Sequence, residues 1–347
     1  VVEFEVRERV EADEAALAAL REQVADGGRV AFTIRDHVPA ADVRRARHPD
    51  SVGVIAEADG RLVGSGWVRF DRARIGGQVV QVGFLHGLAV HPDYRRQGVA
   101  RAMTDFRLRR VEARGPGVVA VATIQRGNAG SMANAEWWAS RVTGDLRVTP
   151  VPMRRARPGG GGGWTVRAAV RDDLDTIVAE LERRYRDFGV APVTGREELT
   201  AWLETAVGDI TEVNSYVVVT DRRGRLLAGL GVIDEARLSE MRVRAMPYAM
   251  RLAGRALGVV GAGGVMRNLS VTWAWHRPDS VAAGRFLWQT VRWRMRGRGT
   301  ALVTTVDVRD PIRAMISAPG WLPSTSIALV IRSSSPWDDA RLLAVPS

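Results

Sequence analysis

The chain contains no cysteine and no lysine. The first absence excludes a disulfide framework, a thiolate nucleophile and a zinc–thiolate site, so any chemistry must use other groups. The second makes arginine the carrier of the basic charge, which reaches a formal +11. An all-arginine chain rich in Ala, Gly and Val points to a GC-rich genome, so part of that charge is a codon effect. No apolar run reaches membrane-spanning length, and residues 1–10 alternate charged with apolar positions instead of forming the apolar core of a secretory signal. The expectation is a soluble, cytoplasmic protein with no membrane partner. A basic surface favours anionic partners. Nucleic acid is the weaker candidate among them, because the arginines are spread through both halves and no long basic run is interleaved with aromatics.

What is present divides in two. At 347 residues the chain is too long for one typical domain and long enough for two cores. Residues 3–10 alternate as a strand would, and Leu17, Leu20 and Val24 mark one face of a helix starting near Asp13. After a polar stretch holding Pro39 and a short helical segment, residues 52–57 and 61–70 flank Asp59-Gly60, a two-residue hairpin signal. Gly76-Gly77 makes the next turn. Residues 79–90 and 118–124 then read as strands, 131–141 as a helix, and 146–151 as a strand that can close the sheet.

Five consecutive glycines at 159–163 mark a boundary. Beyond it the order repeats. Trp164-Thr165-Val166-Arg167 echoes Phe4-Glu5-Val6-Arg7, and Gly224-Arg225-Leu226 echoes Gly60-Arg61-Leu62. Helices are expected at 174–181 and 197–206, a hairpin at 217–220 and 225–232, and an inserted amphipathic helix around 248–257. A strand at 265–275, a helix at 281–296, a strand at 301–306, a short helix after Asp310-Pro311 and a strand at 326–331 complete the set. One order used twice reads as two copies of one fold: residues 1–157, a linker at 158–163, and residues 164–347.

The most informative stretch lies in the first copy. An apolar strand ends in Leu88-Ala89-Val90-His91-Pro92, the chain turns through Tyr94, and Gly98 opens a helix with Val99, Met103 and Phe106 on one face. The first N–H groups of that helix have no internal partner and sit at its positive end, so Arg95, Arg96, Gln97, Gly98, Val99 and Ala100 form an anion site. Gly98 admits a phosphate close to the backbone, Ala100 does not block it, and Arg95, Arg96 and Arg101 add charge that pairs with phosphate oxygens.

Arg95-x-x-Gly98-x-Ala100 after that strand resembles the acyl-CoA pyrophosphate loop of the GNAT superfamily of acetyltransferases. The resemblance implies an α/β protein of two tandem GNAT-like domains, each a mixed, mostly antiparallel sheet flanked by helices. It implies acetyl-CoA, or another acyl-CoA, as co-substrate and no metal. It also puts the thioester beside the backbone of Leu88, Ala89 and Val90, with Asn128 similar to the family's pantetheine-contacting asparagine. In the second copy the run from His276 to Gly284 lacks the arginine–glycine spacing, so that copy is expected to have lost its phosphate loop and to shape the acceptor side.

Acyl transfer to an amine needs a base, an oxyanion donor and an acid for the leaving thiolate. Many family members carry a glutamate two residues before the Leu of Leu-Ala-Val. His86 stands there, a side chain that titrates near neutral pH and can accept a proton; the competing reading is a buried, hydrogen-bonded histidine. Alternation puts His86 on the face of Leu88 and Val90. The family's acid is usually a tyrosine late in the helix after Asn128, where this chain has Trp137-Trp138, so the acid is elsewhere or the thiolate leaves unaided. Trp273, Trp275, Trp288 and Trp293 read as core and interdomain packing ahead of a binding face. Asp307 and Asp310, with no histidine nearby, are poor metal ligands. The expected function is acyl-CoA-dependent N-acyltransfer, acetyl to a small-molecule amine, natural-product or antibiotic intermediates included. The alternatives are transfer involving a carrier-protein thioester or aminoacyl-tRNA, decarboxylation of a malonyl thioester, or a non-catalytic module binding acyl-CoA or nucleic acid.

Overall fold

The computed structural model describes residues 3–316, 318, 320–333 and 341–344. The first half runs β1 (Glu5–Glu8), α1 (Glu14–Gln23), β2 (Asp26–Gly27), β3 (Ala31–Asp36), α2 (Ala40–Arg47), β4 (Ser51–Ala58), β5 (Arg61–Ile75), β6 (Gln78–Val90), α3 (Val99–Glu112), β7 (Val119–Gln125), α4 (Ala129–Glu136) and β8 (Arg141–Pro152). The second runs β9 (Thr165–Ala168), α5 (Leu174–Tyr185), β10 (Phe188–Pro192), α6 (Arg196–Leu203), β11 (Asn214–Thr220), β12 (Leu226–Ile233), β13 (Ser239–Ala245) and α7 (Tyr248–Ala256). It ends with β14 (Val265–Met266), β15 (Asn268–His276), α8 (Val281–Arg294), β16 (Ala301–Asp307), β17 (Thr325–Arg332) and β18 (Leu342–Leu343). No helix among the described residues is long and apolar enough to cross a membrane.

Both expected turns have the backbone their sequences call for. Asp59 and Gly60 lie at φ 50° and 70°, Gly76 and Gly77 at 58° and 87°, and these positive angles match the twist of the hairpin strands they join. Helix α4 stops at Glu136 instead of reaching residue 141, because the Ser140 N–H donates to Ile331 O at 3.0 Å and turns the chain into the sheet.

A single fourteen-stranded sheet runs through both halves in the order β1-β4-β5-β6-β7-β17-β8-β16-β15-β12-β11-β9, with β10 joined to β5 and β18 joined to β10. It is antiparallel except at β6·β7, β15·β16 and β10·β18. Helices cover its faces, which is the mixed α/β architecture expected. At its centre, however, the closing strands are exchanged. β8 does not sit beside β7. It pairs with β16 (Val151 opposite Leu302), while β17, from the far end of the chain, lies between β7 and β8 (Val330 opposite Ala122 and Val142). An apolar strand pattern specifies which faces are buried and leaves the neighbour open, so the sequence predicts the strands and misses the exchange.

Burial follows this topology. Val121 of β7, Leu146 of β8, Val190 of β10 and Leu329 and Ile331 of β17 form one apolar cluster drawn from both halves. A second, four-stranded sheet, β14-β13-β3-β2, also mixes the halves, with Asp36 opposite Ser239 and Ile34 opposite Met241. β3, β10, β13 and β18 are absent from the sequence expectations. Each is short; β3, β10 and β13 pair with a strand of the other half, and β18 pairs with β10.

Candidate active site

Strands β6 and β7 pair in parallel only from Val82–Val119 to Leu85–Ala122, and beyond that they diverge. The other flank of β6 shows why. His86 pairs with Trp67 of β5 and Ala89 with Ser65, so β6 carries one extra residue: a bulge, with Gly87 at φ 62°. A Cβ at Gly87 would meet Trp67 at 3.1 Å in addition to the backbone strain, so glycine is required there. The result is an open wedge with residues 86–90 on one side and 123–125 on the other.

At one end of the wedge lies the turn into α3. Arg95 Nε donates to Val90 O at 3.1 Å and Gln97 Nε2 to Asp93 O at 2.8 Å, folding the loop back on the strand. Arg96 and Gly98 take φ of 61° and 87°, which turns the following N–H groups outward together with the unpaired amides of the first turn of α3. Arg95, Arg96 and Gly98 are exposed, and nothing lies within 4 Å of where a Gly98 Cβ would be. Val99 is buried under the sheet and contributes only backbone, and Ala100 is half-buried beside it. Arg101 is placed differently from the other two arginines: its guanidinium stacks over the Trp137 ring at 4.7 Å. Asn128 caps α4, its Oδ1 accepting from Ser131 N at 3.2 Å.

Two cavities meet at the bulge. One of about 370 Å³ is lined by Leu85, His86, Gly87, Leu88, Arg107, Thr123, Asn128 and Trp138. The other, about 520 Å³, shares residues 86–88 and is walled on its far side by Arg21, Asp36, Arg44, Trp67 and Glu235. The extra residue of the bulge overrides the alternation expected from the sequence. Val90 packs with Val99 and Met103 beneath α3, whereas His86 borders both cavities. Burial pushes the His86 imidazole down to about 3, helped by Arg69 and Arg107, so it is neutral where the sequence implies titration near neutrality. In the second cavity Arg21 Nη1 meets Asp36 Oδ2 at 2.7 Å, and Arg47 lies 3.7 Å from Glu235. Burial raises the Asp36 carboxyl against the opposing pull of Arg21 and Arg44.

The second copy keeps the wedge and loses the loop. β15 and β16 separate after Val271–Thr304, and a matching bulge carries Trp273 at φ 46°. A cavity of about 690 Å³ opens there, bordered by Trp273, Thr305 and Asp310 and, from the first half, by His48, Arg69 and Phe84. The turn into α8 has Asp279 and Ser280 where α3 has its arginines and left-handed glycine. Trp273, Trp275 and Trp288 are buried, as expected of core. Asp307 and Asp310 are taken up by arginines, Asp307 by Arg309 at 2.8 Å and Asp310 by Arg184 at 2.6 Å.

Sequence reasoning missed Asp36, Glu235, Thr104, Asn134 and Arg107. The first two come together only through β3·β13 pairing. Arg107 had a signal: it interrupts the apolar stripe Val99, Met103, Val111 of α3 at i+4 spacing.

The wedge, the bulge and the turn into α3 thus lie along one strand, with His86 at the bulge and Arg95, Arg96 and Gly98 at the turn. Residues 20–136 match the acetyltransferase (GNAT) family. The whole chain shares its fold with solved structures. A GCN5-related N-acetyltransferase from Sphaerobacter thermophilus is 16% identical, with 97% of each chain covered and a TM-score of 0.60. Saccharomyces cerevisiae N-myristoyltransferase with bound myristoyl-CoA is 11% identical over 98% of this chain and 88% of that one, with a TM-score of 0.65. A GCN5-related N-acetyltransferase from Kribbella flavida is 13% identical over 98% and 72%, with a TM-score of 0.54. At these identities the likeness is one of fold. No curated protein matches the chain in sequence.

Proposed function

We propose that the protein transfers an acetyl group from acetyl-CoA to the amine of a small molecule, with residues 1–157 binding the donor and residues 164–347 completing the acceptor side. The observation that carries this is the wall shared by the two cavities. Residues 86–88 line both a cavity that also holds Asn128 and Arg107 and one bordered by Asp36, Glu235, Arg21 and Arg44. A thioester laid along the wedge presents its carbonyl at that wall, and an amine arriving from the 520 Å³ cavity reaches it. The amine nitrogen bonds to the carbonyl carbon, the carbon–sulfur bond breaks with its electron pair going to sulfur, and the amine proton passes to His86 directly or through water. Arg95, Arg96, the amides of residues 98–100 and Asn128 Nδ2 hold the donor, and the backbone of Leu88, Ala89 and Val90 lies along it. The test is a panel of primary amines with acetyl-CoA, following free thiol; no thiol release above the amine-free rate with any member would reject the reading.

Two substitutions separate the roles. His86→Ala is expected to lower the transfer rate by ~10²-fold or more, the scale of a positioned base, with CoA affinity nearly intact. Because the wild-type imidazole stays neutral down to about 3, the wild-type rate has no histidine limb between about pH 5 and 8. A variant with the wild-type rate would make His86 structural. Glu235, which borders the 690, 520 and 200 Å³ cavities, is placed to meet a cationic acceptor. Glu235→Gln should raise the acceptor KM by ~10-fold or more, the scale of one charge-assisted hydrogen bond, and leave the acyl-CoA KM unchanged. Equal shifts in both constants would count against that placement.

A further inference from the structure

Arg107 has no place in the expected site, yet it is 2% exposed and lines the 370 Å³ cavity. It makes two hydrogen bonds, Nη2 to Thr104 Oγ1 at 2.9 Å and Nε to Met103 O at 3.4 Å. Among the described residues no carboxylate pairs with it. The contrast with other arginines is sharp: Arg184 has Asp310, Arg167 has Asp173 and Arg309 has Asp307. A buried cation without a counter-ion costs stability, and replacing such a group by an apolar one of similar volume is often neutral or stabilising. Packing therefore gives no reason for an arginine here. A charge that appears during turnover does.

Its position is specific. The guanidinium lies against Gly66, where a Cβ would be 3.2 Å from Nη1. Gly66 sits between Ser65 and Trp67, the two β5 residues that flank the bulge register. Arg107 thus lies under the apex of the wedge, on the side of α3. The same hydroxyl that it bonds, Thr104 Oγ1, also accepts from Asn134 Nδ2 at 3.0 Å, and Asn134 Oδ1 accepts from Trp137 Nε1 at 3.4 Å. This chain of donors occupies the α3–α4 face where a tyrosine acid was sought and two tryptophans stand instead.

We propose that Arg107 is the anion-stabilising group of the transfer step, holding the negative charge on the thioester sulfur as CoA leaves. The inference rests on the acyl-transfer reading given above. As the carbon–sulfur bond breaks, its electron pair goes to sulfur and the amine proton goes to His86. Arg107 gives up no proton; burial lowers its guanidinium only to about 10, so it remains charged at neutral pH. Thr104 and Asn134 are positioning residues that keep the fork aimed into the cavity, and the carbonyl oxygen is left to backbone N–H groups of the bulge.

The test uses the full-length protein saturated with CoA and reads the ionisation of its thiol from the ultraviolet band of the thiolate as pH is raised. The wild-type complex should ionise at least about one pH unit below unbound CoA, a tenfold change in the equilibrium. In Arg107→Met that shift should vanish, the acetyl-transfer rate should fall ~10²–10³-fold, the scale of one lost transition-state donor, the acyl-CoA KM should change little, and the melting temperature should hold or rise. Arg107→Lys keeps the charge and should retain part of the shift, which also settles the matter if the methionine variant does not fold. A wild-type thiol that ionises as in solution would overturn the proposal, as would a methionine variant that melts lower and keeps the shift. A rate loss confined to acyl groups bearing their own carboxylate would overturn it too, because Arg107 would then be reading the acyl chain. The titration needs no acceptor, so it stands apart from the amine panel: a shifted thiol with no amine accepted rejects the function and not the anion site, and turnover with an unshifted thiol does the reverse.

Discussion

A Gly98→Glu variant is expected to show no heat of CoA binding in calorimetry, against one CoA per chain for the wild type. Two effects act together. The backbone at φ 87° costs any L residue ~1–2 kcal/mol, and the new carboxylate stands at the helix N-terminus, where an incoming pyrophosphate needs unopposed positive potential. Gly98→Ala separates them. Its methyl would meet nothing within 4 Å, so it should weaken binding by only the backbone strain, on the order of tenfold. A single site per chain follows from the second copy, where Asp279 flanks the α8 turn and no left-handed glycine opens it. Unchanged affinity in the glutamate variant would exclude this turn as the donor site, and two equivalent sites would mean that the second copy still binds CoA.

Ending the chain after Pro158 is expected to leave the first half insoluble or unable to bind CoA, although every residue of its phosphate turn is present. The truncation removes β17 and β16, so β7 loses one neighbour and β8 both. It also strips Leu329, Val330 and Ile331, all fully or nearly fully buried, from the apolar clusters that surround β6 and β7. Unpaired apolar edges of that length invite association with other chains. Producing residues 164–347 as a separate chain in the same cell should recover soluble protein and CoA binding. A monodisperse first half that binds CoA with wild-type affinity would show that the exchanged strand is dispensable.

Those two outcomes mirror what could be read from the sequence. The hairpin turns, the β6 strand and the turn into α3 were legible because each is a local device: Asp59-Gly60, Gly76-Gly77 and Gly98 must take positive φ whatever surrounds them. The bulge at Gly87 was not legible, and with it went the facing of His86 relative to Val90. Pairing between halves was out of reach. β3, β10 and β13 carry few residues each, and the strands they meet lie more than a hundred positions away. Asp36 and Glu235 consequently gave no sign of sharing a cavity. Arg107 was visible as one charge on an apolar helix stripe, but a stripe alone does not distinguish a misplaced cation from one that waits for an anion.

The exchanged strands also set a schedule. Ala122 of β7 meets Val330 of β17 across roughly two hundred intervening residues, which at ribosomal speeds of about 5–20 residues per second is on the order of 10–40 s of synthesis. Throughout that interval the strand forming one lip of the wedge has no partner on its outer edge, and β8 waits with it. The nascent protein therefore passes through a stage in which the turn into α3 has been made and its centre has not closed. Close pairing at such sequence distance slows folding and leaves the intermediate open to capture by other chains, so the emergence of β17 governs when the first half becomes a finished domain.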